Sequence, residues 1–345
     1  MRFTQILALA SAVLASPISR RWTQEQAKFP LTNGFPHPKA DAVSAIEAQA
    51  QGTIPDIVFP TSISDKTALV FSLIATNELA EVAYFTSLLY NISTKQSGYE
   101  HCDQQLFDSL VAIQAQEEIH ALGANGILKA AGRPVIEPCK YTFPVNNLEE
   151  AIQFATSFTD LVLGTLQTAL TAFGADGDTE FLQLIGSVIG SEGEQEGLFR
   201  STFGKIASEK PFLTVGGPVF AASALVQNVI VPGSCPTQLP IPVLAPLTFS
   251  TAKTETQILH FSFPGNSSEG LSLVYLSGQN KPIVEPITKS TIANGKILFD
   301  GTFQQQAQNL NGFTLAAIVK GSGPFTNASD VANAAVAGPA FIQVN

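Results

Sequence analysis

From residue 65 onward, apolar side chains recur every three to four positions through four long segments, 66–90, 103–131, 147–173 and 179–207. That spacing predicts helices with one buried face each. Asp103 and Asn147 stand where N-caps belong, and Gly132 and Gly174 where helices stop. The links between the first and second segments, and between the third and fourth, are short and predict two antiparallel hairpins. The link from Gly132 to Asn146 is longer and holds Pro134, Pro138 and Pro144. Two helical hairpins joined by one long crossover make a four-helix bundle over 66–232, with a fifth, shorter helix near 217–229.

The period changes on either side of this unit. Residues 22–65 are rich in Pro and Gly and carry one short helical stretch near 41–51, so they predict an extended arm. Residues 233–247 hold Pro236, Pro240, Pro242 and Pro246, a stiff linker. Beyond it, short β-branched and aromatic runs appear at 257–263, 271–276, 282–287, 296–299, 313–319 and 340–344, separated by turn clusters such as Asn294-Gly295. The expected fold class is therefore α+β multidomain, with an immunoglobulin-like β-sandwich over 248–345 after the bundle.

At the N-terminus, one basic residue precedes a short apolar run, with small residues near Ala15, and Ser16-Pro17 follows. This is the pattern of a secretory signal peptide over 1–15. Arg20-Arg21 marks a dibasic cleavage point that would make 16–21 a pro-segment. No other stretch is long enough to span a membrane without Gly, Pro or charge. A secreted, extracellular chain gives the acceptor tripeptides at Asn91, Asn266 and Asn327 access to N-glycosylation.

Composition narrows the partners. The 345 residues are 45% hydrophobic and only 13% charged, with a formal net charge of −10, which argues against nucleic acid or an anionic membrane surface. Four histidines and three cysteines leave no room for a histidine-rich centre or a four-thiolate zinc site. The sequence contains no His-Glu-x-x-His, no Gly-x-Ser-x-Gly and no phosphate-cradling glycine loop.

Chemistry enters where acids interrupt apolar stripes. Glu78 lies among Phe71, Ile74, Val82 and Phe85. Glu117 and His120 follow Leu106, Leu110 and Ile113, and Glu192 and Gln195 sit between Val188 and Phe199. Three glutamates thus face a core in which an unpaired carboxylate costs several kcal/mol. A shared cation, iron or manganese, would offset that cost. Di-metal bundles use one Glu from each of two helices and Glu-x-x-His from each of the other two. Here the second histidine is Gln195, and the third helix puts no acid on its apolar stripe. Asp160, its one central carboxylate, shares a polar face with Gln153, Ser157 and Gln167. A degenerate metal site and a hydrogen-bonded core network are the two readings of this set. Glu118, Glu194 and Glu196 fall off the apolar stripes and are expected in solvent, and His260 is expected to be an ordinary strand residue.

Several motifs together resemble a known family. They are Asn33-Gly-Phe-Pro36, Asn77-Glu-Leu-Ala-Glu-Val-Ala-Tyr-Phe85, Glu117-Glu-Ile-His120, Glu137-Pro-Cys-Lys-Tyr-Thr-Phe-Pro144, Ser191-Glu-Gly-Glu-Gln-Glu-Gly-Leu-Phe-Arg200 and Ala337-Gly-Pro-Ala-Phe-Ile-Gln-Val344. The chain resembles secreted fungal ferritin-like proteins of late sexual development or stress response, related to desiccation-related proteins. The resemblance implies a ferritin-like bundle, metal ligands at Glu78, Glu117, His120 and Glu192, and Gln195 where relatives carry histidine. The expected function is association with sexual development or stress, without catalysis and with cell-wall or extracellular-matrix contact. The alternative is a metal-dependent oxidase or peroxide-consuming enzyme.

The cysteines can be sorted by reach. Cys102 precedes the second helix and Cys139 lies beyond its far end. A helix of about 29 residues is roughly 43 Å long, whereas the eight residues from Gly132 to Cys139 return at most about 27 Å. Cys139 is therefore expected to pair with Cys235, leaving Cys102 free.

Overall fold

The computed structural model describes residues 27–251 and 258–344. The signal-peptide and pro-segment expectations lie outside these residues. Helices α1 (Ala40–Ala50), α2 (Asp65–Ser93), α3 (Gln104–Ala130), α4 (Leu148–Asp176), α5 (Leu182–Thr202) and α6 (Pro218–Asn228) come first. Strands β1 (Thr248–Thr251), β2 (Ile258–Pro264), β3 (Leu271–Leu276), β4 (Ile283–Pro286), β5 (Thr291–Ala293), β6 (Lys296–Thr302) and β7 (Gly312–Lys320) follow. Helix α7 (Ala328–Ala334) and strand β8 (Ala335–Val344) close the chain.

The bundle is built from the hairpins α2–α3 and α4–α5. Caps fix their starts. Ser64, Asp103 and Asn147 each accept a backbone N–H three residues on, satisfying donors that have no partner inside the helix. Gly174 does not end α4. The helix runs on to Asp176 and stops at Gly177, whose φ of 85° suits a residue without Cβ. The fourth bundle helix ends at Thr202, short of the expected 207. Helix α2 is long and apolar enough to cross a membrane, but 78% of its apolar window is buried by α3, α4 and α6. A helix apolar on every side belongs at the centre of a core.

The crossover from α3 to α4 is pinned to the chain after α6. Val231 N–H donates to Lys140 O, Thr142 N–H donates to Val229 O, and the Cys139–Cys235 disulfide closes the pairing. Cys102 is a free thiol.

The C-terminal domain consists of two four-stranded antiparallel sheets, β1-β2-β6-β5 and β4-β3-β7-β8, enclosing a core of Phe261, Phe299, Tyr275, Ile318 and Ile342. Strands β1 and β5 and helix α7 were not expected from the apolar runs. The opposite face of the β3–β7–β8 sheet packs on the bundle, where Val274, Leu315, Phe313 and Phe341 join one core with Phe158, Phe220 and Leu225. Hence β7 is buried on both faces over eight of its nine residues. A second bundle core, around Phe71, Phe173 and Phe181, lies toward the other end. Along α2 the two cores meet at residues 73–82, the stretch that carries Glu78 and Glu81.

Candidate metal centre

Three helices bring the acids together. Glu78 comes from α2, Glu117 and His120 from one face of α3, and Glu192 from α5. Each of the four offers a ligand atom, and those atoms all lie within 4.8 Å of one another. The three glutamates are fully buried, and the His120 side chain is 13% exposed. His120 turns Nδ1 to the acids, 2.9 Å from Glu117 Oε2 and 3.6 Å from an oxygen of both Glu78 and Glu192. Gln195, on α5, donates Nε2–H to Glu117 Oε1 at 2.7 Å.

Only Glu117 is satisfied by these bonds. Among the described residues, neither oxygen of Glu78 nor of Glu192 has a hydrogen-bond partner. Buried polar atoms are almost always paired, so four such oxygens around one point leave room for a proton, a water or a cation between them. Burial pushes the Glu78 carboxyl well above the usual range against the pull of His120. Burial and the neighbouring Glu117 charge push Glu192 up to about 7. Burial would also raise Glu117, but His120 and the bonds from His120 and Gln195 outweigh it and hold Glu117 low. Burial would lower His120, but the Glu117 charge outweighs it and raises the imidazole well above normal. Three carboxylate donors and one imidazole nitrogen fit iron or manganese better than a soft cation.

Helix α4 adds no donor to this set. On its side stand Ala155, Phe158 and Thr159, and beside them Glu81 from α2. Glu81 is buried with one unpaired oxygen, and burial followed by the Glu192 charge raises its pKa.

Two acids expected in solvent are buried. Glu118 accepts from Gln114 and from Asn33 of the arm, at 2.5 and 2.8 Å. The arm covers that face, which no helical period can reveal. Glu196 is buried in a charged patch with Asp160, Arg200, Glu209 and Lys205. Asp160 accepts from Gln343 of β8, Arg200 Nη1 lies 3.8 Å from Glu196, and Lys210 Nζ donates to Phe313 O at 2.6 Å. Glu194 is exposed, as is His260, which pairs with Asp300 Oδ1 at 2.6 Å. Of the three glycosylation tripeptides, Asn266 and Asn327 are exposed. Asn91 is 3% exposed inside α2, where the folded chain leaves no room for a glycan.

No curated protein matches this chain. Residues 64–205, from the N-cap of α2 to just beyond α5, match the model of the ferritin-like domain family. The helical unit that brings Glu78, Glu117, His120 and Glu192 together thus matches a ferritin-like domain, and two antiparallel β-sheets follow it in this chain.

Proposed function

We propose that the chain is a secreted ferritin-like protein that binds one iron or manganese ion through Glu78, Glu117, His120 and Glu192. The observation that carries this reading is the set of four carboxylate oxygens on Glu78 and Glu192 that lack a hydrogen bond, two of them 3.6 Å from His120 Nδ1 in a buried layer. A core network held by hydrogen bonds alone would have satisfied them. One ion rather than two follows from α4, which contributes no acid to the cluster, and from Gln195 in place of a second histidine.

Such an ion supplies one-electron redox chemistry toward dioxygen or a peroxide, the metal-dependent oxidase or peroxide-consuming reading. The chain's own residues do the rest. Gln195 fixes the Glu117 carboxylate, Glu117 orients the His120 ring, and apolar core layers flank the cluster on both sides. The Cys139–Cys235 disulfide supports an oxidising, extracellular location, and the leader-like N-terminal sequence points the same way. The two C-terminal sheets are compatible with the immunoglobulin-like sandwich expected there.

A second reading, a non-catalytic protein of fungal sexual development or stress response, is favoured by the missing α4 acid and by the motifs that resemble that family. Elemental analysis of the purified full chain tests the metal-binding reading. About one iron or manganese per chain, lost in Glu117→Ala while the fold persists, supports the proposal. Substoichiometric metal in the wild type, or metal retained by Glu117→Ala, sinks it.

A further inference from the structure

A cavity of about 300 Å³ opens between α2, α3, α5 and the arm, and its inner end reaches Glu78 and His120. Its wall is apolar. Phe59 comes from the arm, Phe71 from α2, Ile119 and Ile127 from α3, and Val188 from α5. His120 is the one member of the metal cluster with measurable exposure, and it borders this cavity. Among the described residues lining it there is no lysine or arginine, and the only titratable groups are Glu78 and His120.

We propose that this cavity is a binding site for a small, uncharged, apolar molecule, held with one end against Glu78 and His120. Size sets an upper bound. An apolar protein cavity of about 150 Å³ takes up benzene, so this one accommodates roughly twice that volume, a chain of eight or so carbons or a fused bicycle. Charge sets the class. A carboxylate head would lie against Glu78 and would find no lysine or arginine, and His120 is already paired with Glu117 at 2.9 Å, whereas a hydroxyl or carbonyl can bond to His120 or Glu78. Phe59, which lines the cavity from the arm, packs its ring edge on α3, 3.1 Å from where a Cβ on Gly126 would lie. Gly123, on the same helix, faces open space, with nothing within 4 Å of a Cβ built there. That the occupant is also the substrate of a bound ion rests on the metal-binding reading. Occupancy of the cavity does not.

Calorimetric titration of the full chain, stripped of metal, with 1-octanol and with octanoate tests the proposal. One octanol should bind per chain, and octanoate at least tenfold more weakly. Gly123→Phe, which projects a ring into the cavity, should weaken octanol at least tenfold with its circular dichroism unchanged. Gly123→Leu serves as the smaller obstruction if the phenylalanine variant does not fold. Wild-type protein that fails to bind octanol, binds octanoate equally, or loses nothing in a folded Gly123 variant overturns the site. Metal content measured on the same preparations keeps the two ideas apart. Octanol binding without metal uptake fails only the metal reading, and metal uptake without octanol binding fails only this one.

Discussion

At the scale of single residues, Glu192 shows most sharply what the centre demands. Its carboxyl is fully buried, accepts no hydrogen bond, and lies 3.6 Å from the nearest His120 nitrogen. Leaving an ionised group in that state is unfavourable unless a cation completes it. In metal-free protein, Glu192→Gln should therefore raise stability by about 1–3 kcal/mol, since an amide is less costly to bury than a charge. With saturating iron or manganese the order should reverse, because only the wild type gains the full linkage from a bound ion, about 2.7 kcal/mol at a hundredfold excess over Kd. Thermal unfolding with and without metal reads both signs, and a variant weaker in both conditions would contradict the role assigned to Glu192.

At the scale of elements, helix packing depends on where side chains are missing. Gly164 lets α4 press against the 214–216 segment. A Cβ there would collide with Thr214 O and stand 2.6 Å from Gly216 N, both backbone atoms that cannot swing away. Thr168, one turn on, donates to Gly216 O at 2.8 Å and holds the same contact. Gly164→Ala should cost about 1–3 kcal/mol by overpacking, in spite of the helix propensity it gains. Gly123→Ala, on α3 and facing open space, should instead gain up to about 1 kcal/mol. Urea denaturation of the pair checks the contrast, and equal effects would remove the packing explanation.

At the scale of the whole molecule, bundle and β-domain share a core and a buried polar patch. Asp160 of α4 accepts from Gln343 of β8, and Glu209 accepts from the Phe313 N–H at the start of β7. Glu196, Arg200, Lys205 and Lys210 complete the set of charges around them. Burial, followed by the Glu209 charge, raises the Asp160 pKa well above its ordinary value. A raised acid pKa favours the neutral form in the folded state. Its contribution is thus fully present below the unfolded pKa, about 3.9, and is lost as pH rises through the folded value. Asp160→Asn keeps an acceptor for Gln343 and removes the titration. The variant should match the wild type near pH 4 and exceed it increasingly at higher pH, as melting temperatures across the range would reveal. Parallel curves would show that Asp160 is not the group that titrates.

The helices, and the buried positions of Glu78, Glu117 and Glu192 on them, were legible in the sequence because each is set by local spacing. An apolar period of 3.6 residues defines a buried face whatever covers it, Asp103 and Asn147 carry capping chemistry within three residues, and Glu117-x-x-His120 shares a face by helical geometry alone. The Cys139–Cys235 pairing also yielded to chain reach, a one-dimensional constraint. What tertiary structure decided was every property that depends on the covering partner. The arm buries Glu118 through Asn33, and β8 buries Asp160 through Gln343. Glu196 is enclosed beside Asp160, Arg200 and Glu209, although the helical period alone assigns Glu118 and Glu196 to solvent. The cavity at Glu78 and His120 is likewise bounded by three helices and the arm, residues far apart in the chain, and no spacing rule records the space they leave between them. Periodicity tells which side of a helix is apolar; only the packed chain determines which polar side chains it encloses as well.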